Sequence, residues 1–222
     1  MILIENIEKE IKHQNPLKIS NLKFEQGHIY SVLGHNGSGK STLVKILYNL
    51  EQFDRGNINI NNEGFSEEIV HEYFAYNPQK SNFLLGTLND NFDYLYKYSK
   101  NKNLLSKDKL NELIKEFSLE HRLNTNIKRL SGGEQAKAQF IRTLIMNKDY
   151  ILFDEPMANM DFSTIKKVEE KLLELKQNGK TVILITHDFI QAKRVSDYIV
   201  FMENLNYINT YTCEEFFNTY IF

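Results

Sequence analysis

Long apolar runs are missing from this chain. No window approaches the roughly 18 consecutive apolar residues that a membrane-spanning helix needs, so any membrane role has to come through a separate partner chain. Cysteine is nearly absent: Cys213 stands alone and can form no internal disulfide, which suits a reducing compartment. Neither sign of charge is in excess, with 27 Lys and Arg against 29 Asp and Glu, so there is no general pull toward an acidic membrane surface, and no nucleic-acid partner is expected. The opening MILIENIEKE has no basic region before a long apolar run, so no secretory signal is expected. Internal repeats and low-complexity linkers are missing too. No aromatic residue occurs before Phe24.

What is present fits an ordinary globular protein: 222 residues, 41% hydrophobic and 25% charged, enough for one domain (1–222) with a sizeable core. ILIENI and LKISNLKF read as strands separated by a polar turn around Asn15 and Pro16. HIYSVLG reads as a buried strand running into a glycine-rich turn, followed by a helix that carries Leu43, Ile46, Leu47 and Leu50. INI (58–60) and YFAY (73–76) add strands. Residues 88–128 are polar and helix-like, with Leu110, Leu113, Ile114 and Phe117 on one stripe, which suggests a helical subdomain over about 80–147. YILF and TVILIT are continuous apolar runs, as buried parallel strands are. The helix between them carries Ile165, Val168, Leu172 and Leu175 and stops near Asn178 and Gly179. Strand, helix, strand is the βαβ pattern of an α/β sheet. YIVFMENLNYINTYT reads as a hairpin before a short amphipathic tail.

Three motifs carry chemistry. GHNGSGKST (34–42) matches the P-loop pattern, in which glycines let backbone N–H groups close around phosphate oxygens. Lys40 then faces the outer phosphates, and the Ser41 hydroxyl can reach Mg²⁺. YILFDEP sets Asp154 at the C-terminal end of a strand, where α/β sheets bind ligands and where P-loop enzymes hold Mg²⁺. Glu155 stands beside it, suited to take a proton from an attacking water. LSGGEQ (130–135) opens onto a helix with Ala136, Phe140, Ile141, Leu144 and Ile145 on its apolar face. A glycine pair at a helix start is either an ordinary turn or a second anion-binding loop.

With these motifs in this order, the chain resembles the ATP-binding subunit of ABC transporters over nearly its whole length. The resemblance implies an α/β P-loop NTPase core with a mainly parallel sheet, an N-terminal antiparallel β subdomain and a helical signature subdomain. It also implies an ATPase using ATP and Mg²⁺. Gly34, Asn36, Gly37, Ser38, Gly39, Lys40, Ser41 and Thr42 would cradle the phosphates, and Ser41, Asp154 and Gln79 would serve Mg²⁺ and its water shell. Glu155 would be the general base, and His187, in LITHD, the switch histidine at the γ-phosphate. One nucleotide needs one P-loop, so the second anion-binding loop points to a head-to-tail pair. Ser131, Gly132 and Gly133 of one copy would hold the ATP of the other, with Asp161, in ANMD, at the seam. The partners implied are a second ATPase subunit, most simply an identical one, an integral membrane permease subunit and an extracytoplasmic substrate-binding protein. The place implied is peripheral, on the cytoplasmic side of the cell membrane.

Three departures from the family pattern stand out. The usual adenine-stacking aromatic is missing, leaving Ile11 or His13 in its place and predicting reduced discrimination between ATP and GTP. ANMD replaces the common SALD, and His35 replaces the usual P-loop proline. NFLLGTLNDNF reads either as subdomain core or as a docking surface for the membrane subunit. GHIYSVLG, LLGTLNDN and THDFIQAKRVSDYIVF are similar to ATPases of tungstate and related oxyanion importers. The alternatives are an exporter ATPase for peptide or lipid and an ABC-type ATPase that works outside membranes.

Overall fold

The computed structural model describes residues 1–99, 101 and 103–220. The strands are β1 (Ile2–Lys9), β2 (Leu17–Phe24), β3 (Ile29–Leu33), β4 (Arg55–Ile60), β5 (Glu63–Gly64), β6 (Phe74–Asn77), β7 (Tyr150–Asp154), β8 (Thr181–Ile185), β9 (Tyr198–Glu203) and β10 (Asn206–Thr212). The helices are α1 (Lys40–Leu47), α2 (Glu67–Tyr73), α3 (Leu88–Tyr98), α4 (Lys107–Glu116), α5 (Gly132–Ile145), α6 (Phe162–Gln177), α7 (Phe189–Val195) and α8 (Cys213–Thr219).

All ten strands join one sheet in the order β5-β4-β1-β2-β10-β9-β3-β8-β7-β6. Pairing is parallel from β9 through β3, β8 and β7 to β6, and antiparallel among β2, β1, β4 and β5. The N-terminal antiparallel part is therefore a flank of the main sheet, joined through the β9–β10 hairpin. β3, β7 and β8 are buried at every residue, as expected for central strands with both faces covered. One apolar cluster fills the face beneath α1, with Leu43, Val44, Ile46 and Leu47 against Ile4, Phe24, Tyr150 and Ile183. The other face carries α4, α5 and α6, whose Leu113, Phe140, Ile141, Val168 and Leu172 share a cluster with Phe117, just past α4, and with Phe153 and Leu184. The helices between 88 and 145 thus bury their apolar stripe in continuity with the sheet.

Most expected elements form as read, with one clear correction. Leu50 fits the helical spacing of α1 but lies beyond its end and is 58% exposed. Asn49 takes a left-handed φ of 56°, and Leu50 N–H turns back to the Lys45 carbonyl, so the helix stops one turn early. In NFLLGTLNDNF, Leu88 and Phe92 are core, whereas Leu84 and Leu85 face outward.

Candidate active site

Because the strands from β9 to β6 are parallel, the segments leaving the C-terminal ends of β3, β6, β7 and β8 meet at one edge of the sheet. Those segments are the P-loop, Gln79, Asp154 with Glu155, and His187. That edge is where α/β sheets bind ligands. A cavity of about 360 Å³ opens there, lined by Asn36, Gly37, Gly39, Lys40, Ser41, Thr42, Gln79, Glu155 and His187, and also by Ile11, Gln14 and Leu205.

The P-loop turns out of β3 at Gly34, whose φ is 152°. A Cβ there would lie 2.0 Å from the Met202 carbonyl oxygen, so any side chain would push the loop off β9. Ser38 is 2% exposed and its Oγ, close against Gly34, has no partner among the described residues, so the P-loop keeps one orphaned buried hydroxyl. Lys40 Nζ donates to the carbonyls of Gly34 (2.7 Å) and His35 (2.8 Å), bridging the loop from inside. Burial pushes its ammonium below the ordinary lysine value, opposed by the nearby charges of Glu155 and Asp154. An arriving triphosphate would supply the missing counter-charge.

Ser41 Oγ donates to Asp154 Oδ1 at 3.2 Å. Burial raises the Asp154 carboxyl above the usual range, with Glu155 adding to the rise and Ser41, Lys45 and Lys40 opposing it. Two ligands at right angles on an octahedral Mg²⁺ would stand about 3.0 Å apart, given metal–oxygen distances of about 2.1 Å, so this oxygen pair fits the ion. No group of three or more His, Cys, Asp or Glu side chains able to hold a metal occurs among the described residues.

Glu155 takes a left-handed φ of 51°, a conformation that costs a non-glycine residue energy and is held by its surroundings. Its N–H donates to the Ile185 carbonyl (3.1 Å). Gln79 Nε2 donates to Glu155 Oε2 at 2.9 Å, and His187 Nε2 lies 2.5 Å from Glu155 Oε1. All three expected catalytic side chains therefore meet at one carboxylate.

The signature residues do not join this cavity. Ser131 caps α5: its Oγ accepts from Glu134 N–H (3.2 Å), and Glu134 Oε2 accepts from Ser131 N–H (2.8 Å), a complete capping box. Burial disfavours the Glu134 carboxylate, but hydrogen bonds from Ser131 and Arg122 outweigh it and hold the group below its ordinary value. The amides of Gly132 and Gly133 are left without a partner among the described residues, at the positive end of a 14-residue helix. A Cβ on Gly133 would lie 2.8 Å from the Asn159 carbonyl oxygen, so the loop packs tightly on the stretch leading to Asp161. Asp161 is itself occupied: it caps α6 through Thr164 N–H (2.9 Å) and accepts from the hydroxyls of Ser163 (2.5 Å) and Thr164 (2.8 Å). These bonds hold its carboxyl well below the usual range.

Of the two candidates for the missing aromatic, Ile11 lines the cavity, whereas His13 lies outside its lining. Gln14 and Leu205 were not expected there. Leu205 arrives from the β9–β10 turn, fastened to β2 by Lys18 N–H donating to its carbonyl (2.8 Å). Only long-range pairing brings it in, so no local sequence pattern marks it.

A family model described as ABC transporter matches residues 17–158. The chain is 32% identical over 223 residues to the probable sulfate/thiosulfate import ATP-binding protein CysA of Chlorella vulgaris, covering 96% of this chain and 92% of that one. It is 29% identical over 230 residues to the arginine transport ATP-binding protein ArtM of Bacillus subtilis, covering 98% and 93%. It is also 29% identical over 205 residues to the tungstate uptake system ATP-binding protein TupC of Peptoclostridium acidaminophilum, covering 91% and 94%. Among solved structures, a dimeric bacterial ABC transporter cassette superposes with a TM-score of 0.82 at 26% identity, covering 96% of this chain and 99% of that one.

Proposed function

Given that this chain belongs to the ABC transporter family and is an ATPase acting with Mg²⁺, we propose that two copies close head to tail around two ATP molecules to drive a separate membrane permease subunit. The observation that carries this reading is the separation of two anion-receiving loops. The nucleotide cavity is lined by the P-loop, Gln79, Glu155 and His187 and by no signature residue, while the free amides of Gly132 and Gly133 stand elsewhere on the same chain. A second copy completes both sites at once.

In this reading Lys40 exchanges its two carbonyl partners for the β and γ phosphates, and the loop amides close around them. Ser41 and Asp154 would hold Mg²⁺, with Gln79 at its water shell, and the ion would supply positive charge to the phosphate oxygens. Glu155 takes the proton of the attacking water, and His187 orients that carboxylate and reaches toward the γ-phosphate. The partner's Ser131, Gly132 and Gly133 hold the γ-phosphate from the far side, and Asp161 keeps the seam in shape by capping α6. Cleavage removes the bridging phosphate, so the pair opens.

The base lies against Ile11, Gln14 and Leu205 of the cavity lining. Aliphatic walls bind either purine without ring stacking, and one carboxamide both donates and accepts, so ATP and GTP bind alike. The finer cargo reading is import of an oxyanion. The stretch THDFIQAKRVSDYIVF supports it, together with relatives named for tungstate and sulfate/thiosulfate, although the relative named for arginine is matched equally well. No described helix is long and apolar enough to cross a membrane, in keeping with a peripheral subunit that docks on a permease.

The test is the oligomeric state of the Glu155→Gln variant in saturating Mg-ATP, measured by light scattering alone and with the membrane subunit. A dimer that disperses when ATP is removed is the expected result. A strictly monomeric protein in both settings would overturn the shared-site reading.

A further inference from the structure

Two segments leave neighbouring strands and carry the pair Glu155 and His187, one after β7 and one after β8. At their base Glu155 N–H donates to the Ile185 carbonyl (3.1 Å), and the side chains then meet, His187 Nε2 against Glu155 Oε1. Beyond that point residues 155–158 and 186–188 both line a cavity of about 210 Å³, so close packing does not fix the spacing of the two segments. One buried side chain supplies the bonds that can. Gln191, in the first turn of α7, is 4% exposed. Its Oε1 accepts from the Thr186 hydroxyl (2.9 Å), and its Nε2 donates to the Met157 sulfur. Its N–H donates to Asp188 Oδ1 (2.9 Å), and Asp188 N–H donates to Thr186 Oγ1 (3.1 Å). Both chain neighbours of His187 are thereby held by one residue, which also reaches across to the chain two positions past Glu155. A carboxamide accepts and donates at once and carries no charge for burial to penalise.

We propose that Gln191 is a positioning residue for hydrolysis: it latches the turn that carries His187 to the segment that follows Glu155, and so keeps the imidazole on the carboxylate. The inference rests on the roles given to Glu155 and His187 above. Met157 and Thr186 are buried, so water does not replace these bonds when they are lost. Gln191 is not among the residues that line the nucleotide cavity, so its loss acts on turnover rather than on binding of ATP. A small displacement of a group that acts in the reaction is enough to lower the rate.

The test is steady-state hydrolysis of Mg-ATP by the parent chain and its variants, each paired with the membrane subunit, read as kcat and KM beside the melting temperature. Gln191→Leu removes both side-chain bonds at similar size, Thr186→Val removes the hydroxyl and Thr186→Ser keeps it. Val168→Ala, a truncation in the core under α6 away from the latch, gives a variant destabilised by packing alone. In Gln191→Leu and Thr186→Val, kcat should fall about three- to tenfold, as for one buried hydrogen bond, with KM within about twofold of the parent. Thr186→Ser and Val168→Ala should keep the parental kcat. In a His187→Ala background Gln191→Leu should slow hydrolysis no further, since the latch then holds nothing. Should Gln191→Leu fail to fold, Thr186→Val carries the test. Parental kcat in both latch variants, an equal loss in Val168→Ala, or a further loss of the same size in the His187→Ala background would overturn the proposal alone. Parental kcat in His187→Ala would sink the reading of the Glu155 and His187 pair, and this inference with it.

Discussion

Two inactive variants should restore each other if the ATP site is shared between copies. Lys40→Ala removes the buried ammonium that bridges the P-loop and leaves the signature loop intact. Ser131→Asp does the reverse. Aspartate is as good an N-cap as serine, so α5 keeps its start, but a carboxylate now faces the γ-phosphate of the neighbour's ATP. Two like charges about 4 Å apart at an effective dielectric of about 20 repel by about 4 kcal/mol, roughly a thousandfold in affinity. Each variant alone should therefore be inactive. In a mixed dimer both lesions fall on one site, and the other site has a sound P-loop and a sound signature loop. Random pairing of equal amounts makes about half of the dimers mixed, each with one of two sites intact, so about a quarter of the parental hydrolysis should return. The assay is steady-state phosphate release from the mixture against each variant alone. In the Glu155→Gln background the mixed dimer should also retain one nucleotide after gel filtration. A mixture no more active than the sum of its parts, with no nucleotide retained, would refute the shared site, because a site built within one chain leaves no dimer whole.

Other outcomes follow from the same geometry. Glu155→Gln should lower turnover by about 10²–10⁴ while leaving ATP binding intact, since the amide cannot take the water's proton, and unchanged hydrolysis would remove Glu155 from that role. Asp154 has its folded-state carboxyl raised by burial, so its charge costs stability above that value and the cost fades as pH falls through it. Asp154→Asn should therefore melt higher than the parent at neutral pH without ATP, by about 2–4 °C per kcal/mol relieved, with the gap closing on acidification. The same variant should lose Mg²⁺-dependent hydrolysis, and a lower melting temperature at neutral pH would contradict the burial argument. GTP should bind within about fivefold of ATP, and Ile11→Tyr should tighten both by about 5–150-fold through base stacking worth about 1–3 kcal/mol. Equilibrium titration with both nucleotides checks this, and a strong ATP preference in the parent would count against the aliphatic base site.

The parts of this protein that were legible in its sequence are those whose chemistry demands particular residues at short spacing. The P-loop, the apolar runs of β7 and β8 and the capped start of α5 each carry their physics locally, so pattern and propensity suffice to find them. The helix-stop at Asn49 was equally local, yet the apolar spacing that reached to Leu50 outweighed it in the reading. Gln14 and Leu205 belong to another class. Each reaches the cavity because strands pair in a particular register: Leu205 through the β9–β10 turn held on β2, and Gln14 through the turn that joins β1 to β2. Glu155 combines the two classes. Its identity and place after Asp154 were readable, but its left-handed backbone was not, because nothing local favours that conformation for glutamate. The pairing of β7 with β8 and the bond from Glu155 N–H to the Ile185 carbonyl hold it there, at a cost of about 1–3 kcal/mol to the fold. That strain sets one carboxylate at the wall of the nucleotide cavity and in contact with both Gln79 and His187. A relaxed glutamate would have no reason to stand where a proton acceptor is needed between Gln79 and His187.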